Sequence, residues 1–114
     1  MPRSMSFALT TAQVLDRTKT VTRRYGWGNL KPGDVLWAVE KCMGLKKGEK
    51  VNRLALIEIV SVRTEPLKEI TKEDCIKEGF PHFEPADFIL LIMKTYPKKM
   101  ASDPINRIEF KYLF

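Results

Sequence analysis

Residues 19–41, KTVTRRYGWGNLKPGDVLWAVEK, decide how the chain is read. The first six positions are rich in β-branched side chains, which suit a pleated strand beginning near Lys19. The following YGWGNLKPGD holds three glycines and a proline, so it reads as a loop closing in a Pro-Gly turn. Over residues 34–41, Val35, Trp37 and Val39 alternate with Leu36, Ala38 and Glu40. Both faces are largely apolar, which places this strand inside a sheet and Trp37 in the core.

Working outward, MSFALT at 5–10 reads as a short first strand, and TTAQVLDR at 10–17 as a helix capped by its threonine. Ala12, Val14 and Leu15 form its expected buried stripe. After a glycine-bearing, lysine-rich connection at 42–52, RLALIEIVSVRTEPL sets Leu54, Leu56, Glu58, Val60 and Val62 against Ala55, Ile57, Ile59 and Ser61, with Pro66 at its end. A short helix is expected over 72–78, capped by Thr71 with Asp74 three residues on, and stopped by Gly79. EPADFILLIMKTY supplies a second helix with Pro85 near its start and Phe88, Ile89, Ile92 and Met93 on one face. The closing INRIEFKYLF alternates as a half-buried last strand. Strands of unequal length interrupted by two or three short helices make an α+β domain built on a curled sheet or small β-barrel.

With 114 residues and no repeat or linker, the chain is expected to form a single domain over 1–114. The longest apolar run, FILLIM at 88–93, is far too short for a membrane span, and the N-terminus lacks a signal peptide's apolar segment. A cytoplasmic location follows as the expectation, with Cys42 and Cys75 as reduced thiols. His82 is the only histidine and reads as structural or exposed; neither a structural metal nor a cofactor is expected. A formal charge of +6 favours polyanionic partners.

Four blocks, LDRTKTVTRR, LKPGDVL, ITKEDCIKEGF and a terminal IEFKYL, together resemble the ASCH domain, a branch of the PUA-like superfamily, over essentially the whole chain. Parts of the loops also look like variants carried by bacterial viruses and prophages. The resemblance implies a PUA-like barrel with flanking helices, a cleft after the first helix, and binding of RNA or a modified nucleoside. Some small bacterial members remove the acetyl group of N(4)-acetylcytidine with a lysine, a threonine and a glutamate, and one member has been described as a ribonuclease. Carried over, these catalytic positions fall on Lys19, Thr22 and Glu78. Thr18 and Arg23 depart from the amidohydrolase pattern, as do the longer 42–52 loop and residues 81–104, leaving substrate size and identity open.

The residues place conditions on that chemistry. A threonine hydroxyl attacks an amide only when a base takes its proton, and a lysine amine does so only when neutral. Burial and the nearby Arg23 and Arg24 favour the neutral amine, while Glu78 opposes it and orients the lysine or serves the leaving amine. In an unbroken strand Lys19 and Thr22 point to opposite faces, so a shared site requires Lys19 in the turn before the strand, or a bulge.

Arg23 and Arg24 are candidate phosphate or base contacts, although adjacent strand residues face opposite ways and one is then expected at the surface. Trp27 either stacks on a base or anchors its loop. Lys46, Lys47 and Lys50 either contact phosphates or form a solvated loop tip. Beside amide hydrolysis stand a non-catalytic RNA-binding module, resting on charge, Trp27 and the lysine loop, and a ribonuclease, for which only the scattered acids Glu40, Glu58 and Glu78 are available.

Overall fold

The computed structural model describes residues 2–41, 47, 48 and 50–114; Cys42 and Lys46 lie outside the described residues. Five strands form one sheet in the order β1-β3-β4-β5-β2, where β1 is Arg3–Ser6, β2 Val21–Arg24, β3 Val35–Val39, β4 Arg53–Pro66 and β5 Pro104–Leu113. β1 runs parallel to β3, and the other pairings are antiparallel. Among the described residues three α-helices flank the sheet: α1 (Thr11–Leu15), α2 (Lys72–Lys77) and α3 (Pro85–Thr95). This is an α+β architecture on a curled sheet, and among the described residues no helix is long and apolar enough to cross a membrane.

The β4/β5 ribbon is the backbone of the fold, and its register explains the two cores. Ile59 pairs with Phe110, but Ser61 pairs with Glu109, so Val60 is an extra residue on β4. The bulge reverses the side-chain parity, and Val62 joins Ile57 and Ile59 on one face instead of standing opposite them. That face, with Ile108 and Phe110 from β5, packs with Met5, Phe7, Val14 and Leu36 as the larger core. On the other face of β5, Ile105 packs with Leu67, Ile70, Cys75 and Phe88 under α2 and α3. Buried residues therefore sit at both parities of β5, which simple alternation does not predict.

Local signals set most helix ends. The Thr71 hydroxyl accepts from the Asp74 amide at 3.2 Å, capping α2, and Gly79 ends it at φ 98°. Pro85 opens α3, where Glu84 and Asp87 form a capping box.

Four expectations are corrected. The first strand lies at Arg3–Ser6 and gives way to a single 3-10 turn at Ala8–Thr10. Thr10 stands before α1 without a side-chain capping bond; instead the Thr11 hydroxyl donates to the Phe7 carbonyl at 3.1 Å. Because α1 is little more than one turn, only Val14 reaches the core, Ala12 is exposed and Leu15 is 61% exposed. Trp37 is half-buried on the outer face of β3, with the Arg53 guanidinium 4.5 Å from its ring centroid.

Candidate functional site

The two edges of the curled sheet, β1 and β2, approach each other without pairing, and the Arg24 Nη2 donates to the Ser6 carbonyl across the seam. A cavity of about 220 Å³ opens there. Its polar side comprises Lys19, Thr22, Arg23, Arg24 and Glu78. Phe80, Phe88, Leu91, Ile92 and Tyr96, most of them from α3, build the apolar wall.

Lys19 precedes β2, so the condition for a shared site is met without a bulge. The Gln13 carbonyl accepts from both the Thr18 and Lys19 amides, the Thr20 amide donates to the Lys77 carbonyl at 2.8 Å, and the Tyr112 hydroxyl donates to the Lys19 carbonyl. These bonds hold the segment between α1, α2 and β5. Lys19 is 3% exposed, and its Nζ donates at 2.8 Å to both the carboxylate and the main-chain carbonyl of Glu78, the residue that ends α2. Burial pushes the Lys19 amine below its ordinary range, the Glu78 carboxylate pulls it back, and Arg24 and Arg23 add smaller downward pushes.

Gly79 lets Glu78 reach this position. A Cβ there would lie 2.8 Å from Gln13 Cγ, and the Gln13 Nε2 donates to the Gly79 carbonyl at 3.2 Å, so the end of α2 rests directly on α1.

Thr22 and Arg24 share one face of β2, where the Thr22 hydroxyl accepts from Arg24 Nε at 3.2 Å and the Arg24 guanidinium lies 4.8 Å from the Phe7 ring centroid. Arg23, on the other face, is buried among carboxylates: Asp74 at 2.6 Å, Glu65 at 3.2 Å and Glu78 at 3.4 Å. The expectation that one of the two arginines lies at the surface is corrected, since Arg23 is buried and Arg24 half-buried. The cause is α2, which covers the face that a lone β-ribbon would leave to water. Asp74 also accepts from Arg107 at 2.7 and 3.1 Å. Burial alone would raise the Asp74 carboxyl, but the bonds from Arg107 and Arg23 outweigh it and hold the group well below the usual carboxylate range.

Trp27, Lys47 and Lys50 stand apart from the cavity lining. Trp27 adopts φ 70°, packs against the larger core and carries the Arg3 guanidinium 5.3 Å from its ring centroid, which is the loop-anchor arrangement. Lys47 and Lys50 are exposed, as is His82. Cys75 is a buried free thiol whose pKa burial pushes up. Among the described residues no three His, Cys, Asp or Glu side chains gather as a metal site, and the acids Glu40, Glu58 and Glu78 do not converge.

Asp74, Arg107 and the apolar wall of α3 escaped the sequence reading. Asp74 is indistinguishable from an ordinary first-turn acid after a cap. Arg107 left a faint signal, a charge sharing strand parity with the apolar Ile105.

No protein-family model matches the sequence, and no curated protein matches it. Solved structures do match in fold. An ASCH domain from Lactobacillus crispatus superposes with a TM-score of 0.71 at 14% identity, covering 96% of this chain and 78% of that one. A DUF984 protein from Enterococcus faecalis gives 0.69 at 15% identity, covering 99% and 77%. A hypothetical protein gives 0.70 at 16% identity, covering 99% and 100%. The chain thus shares its α+β fold with the ASCH domain structure.

Proposed function

We propose that the seam cavity binds a pyrimidine nucleoside and that Lys19, Thr22 and Glu78 hydrolyse an acyl group from its exocyclic nitrogen, as in an N(4)-acylated cytidine. The observation that carries this reading is the buried Lys19–Glu78 pair lining the same small cavity as the Thr22 hydroxyl. A cavity of about 220 Å³ lies below the ~300 Å³ lower end typical of drug-sized ligands, which favours a base or nucleoside over a folded polymer. Its apolar wall suits a heterocycle, and the resemblance in sequence blocks supplies the reaction class.

The chemistry follows from the residues. Thr22 Oγ1 attacks the amide carbon, and the neutral Lys19 amine takes the hydroxyl proton. Burial favours that neutral form, and Glu78 keeps the amine oriented. Arg24 Nε, already on Thr22 Oγ1, stabilises developing negative charge on oxygen. The C–N bond breaks as the leaving nitrogen takes the proton from Lys19. Water, deprotonated by the same amine, then cleaves the threonyl ester, releasing the carboxylic acid and restoring the hydroxyl. In the resting protein Lys19 is engaged by Glu78 and Thr22 by Arg24, so the Thr22-to-Lys19 proton path forms in the substrate complex.

The test is acetate release from N(4)-acetylcytidine by the purified protein. Turnover is expected from the wild type and lost by about 100-fold or more in folded Thr22→Ala and Lys19→Arg proteins. No turnover by the folded wild type would contradict the reading. It would favour the RNA-binding module instead, for which the formal +6 charge is the supporting observation.

A further inference from the structure

We infer that Asp74 is a positioning residue for the Lys19–Glu78 pair, acting through Arg23 from the face of β2 covered by α2. The inference builds on the proposed hydrolysis for what the pair does, but not for how the pair is held.

The register of β2 with β5 places Arg23 beside Arg107 on one face, and the buried Asp74 accepts from both. Arg23 is thereby fixed by Asp74 at 2.6 Å and Glu65 at 3.2 Å through Nη2, while its other terminal nitrogen meets Glu78 at only 3.4 Å. The short bond to Asp74 and the long one to Glu78 show where the guanidinium is anchored. Glu78 is left to make its shorter contact with Lys19, at 2.8 Å.

Two consequences of removing the Asp74 charge have the same sign. The Arg23 charge, no longer balanced from behind, adds to the positive potential at Lys19. Arg23 also becomes able to move onto Glu78 and compete with Lys19 for its carboxylate. Each effect favours the neutral amine. The charged groups facing the Lys19 amine are Glu78 at the end of α2, with Arg23 and Arg24 from β2. Those facing Asp74 are Arg23 and Arg107, and Arg107 is shared with Glu109 at 3.4 Å.

The experiment titrates Lys19, labelled with ¹³C at Cε, by NMR in the wild type and in Asp74→Asn, with an amide spectrum to verify folding. Asparagine keeps the size and one acceptor, and the cap on α2 uses the residue 74 backbone amide, so it remains. The Lys19 midpoint is expected to fall in Asp74→Asn, and to fall less in Glu65→Gln, whose carboxylate holds the same Arg23 nitrogen at a longer distance. An unchanged or raised midpoint in folded Asp74→Asn would overturn the inference. Should that variant fail to fold, Glu65→Gln decides: a lowered midpoint supports transmission through Arg23, and an unchanged one overturns it. Where turnover is measurable, Asp74→Asn should lose kcat on the order of tenfold with KM within about twofold, because Glu78 drawn onto Arg23 no longer orients the amine, and that loss outweighs the larger neutral fraction. The titration needs no turnover, so an inactive wild type would count against the hydrolysis alone.

Discussion

Lys19 is 3% exposed and ends on the Glu78 carboxylate, whereas Lys47 and Lys50, from the most lysine-rich stretch of the chain, stand in solvent. The difference lies in what surrounds each lysine. Lys19 follows a one-turn helix and precedes an edge strand, and the end of α2 closes over it through Gly79 and Gln13. Lys47 and Lys50 are exposed, with nothing among the described residues burying them. An enclosed lysine has depressed basicity, a fixed partner and a place in a cavity, while exposed ones contribute charge without orientation.

The largest expected effect that separates these regions is on stability. Lys19→Met leaves the buried Glu78 carboxylate with only the longer Arg23 contact and should cost roughly 3 kcal/mol in urea unfolding, the scale for breaking one side of a buried pair. Loss of less than about 1 kcal/mol would mean that the pair is not held as described. Gly79→Ala comes next, at about 2 kcal/mol, because φ 98° and the contact with Gln13 both resist a Cβ. A Gly79→Ala variant as stable as wild type would show that α2 does not need to rest on α1. The smallest effect belongs to the double change Lys47→Ala with Lys50→Ala, expected within about 0.5 kcal/mol of wild type by the same unfolding experiment.

Much of the fold was legible because its signals are local. The Thr71 cap, the Gly79 stop, Pro85 at the start of α3 and Pro66 at the end of β4 each act within a few residues. The Val60 bulge was not legible, since it exists only in the pairing of β4 with a strand at the far end of the chain, and it is what moves Val62 to the inner face. The same limit governs the site. Lys19, Thr22 and Glu78 came from a pattern of blocks and meet at one cavity, but Asp74 looked like a helix-dipole acid until Arg23 and Arg107 arrived from two strands. Trp37 departs from its core reading, and Trp27 takes the loop-anchor one of its two, for a related reason. An aromatic in a glycine-flanked loop packs on the core, and one in an apolar strand faces outward under Arg53, because curvature of the sheet, not alternation alone, determines what is inside.

Mapping amide shifts of ¹⁵N-labelled protein during titration with N(4)-acetylcytidine, using Thr22→Ala if the ligand turns over, tests most directly whether the enclosed lysine marks the working region. Saturable shifts centred on residues 19–24, Glu78 and Tyr96, with residues 47 and 50 unmoved, are the predicted result. Shifts confined to Trp27 and residues 47–50, or saturable binding only by a short RNA at that surface, would contradict it.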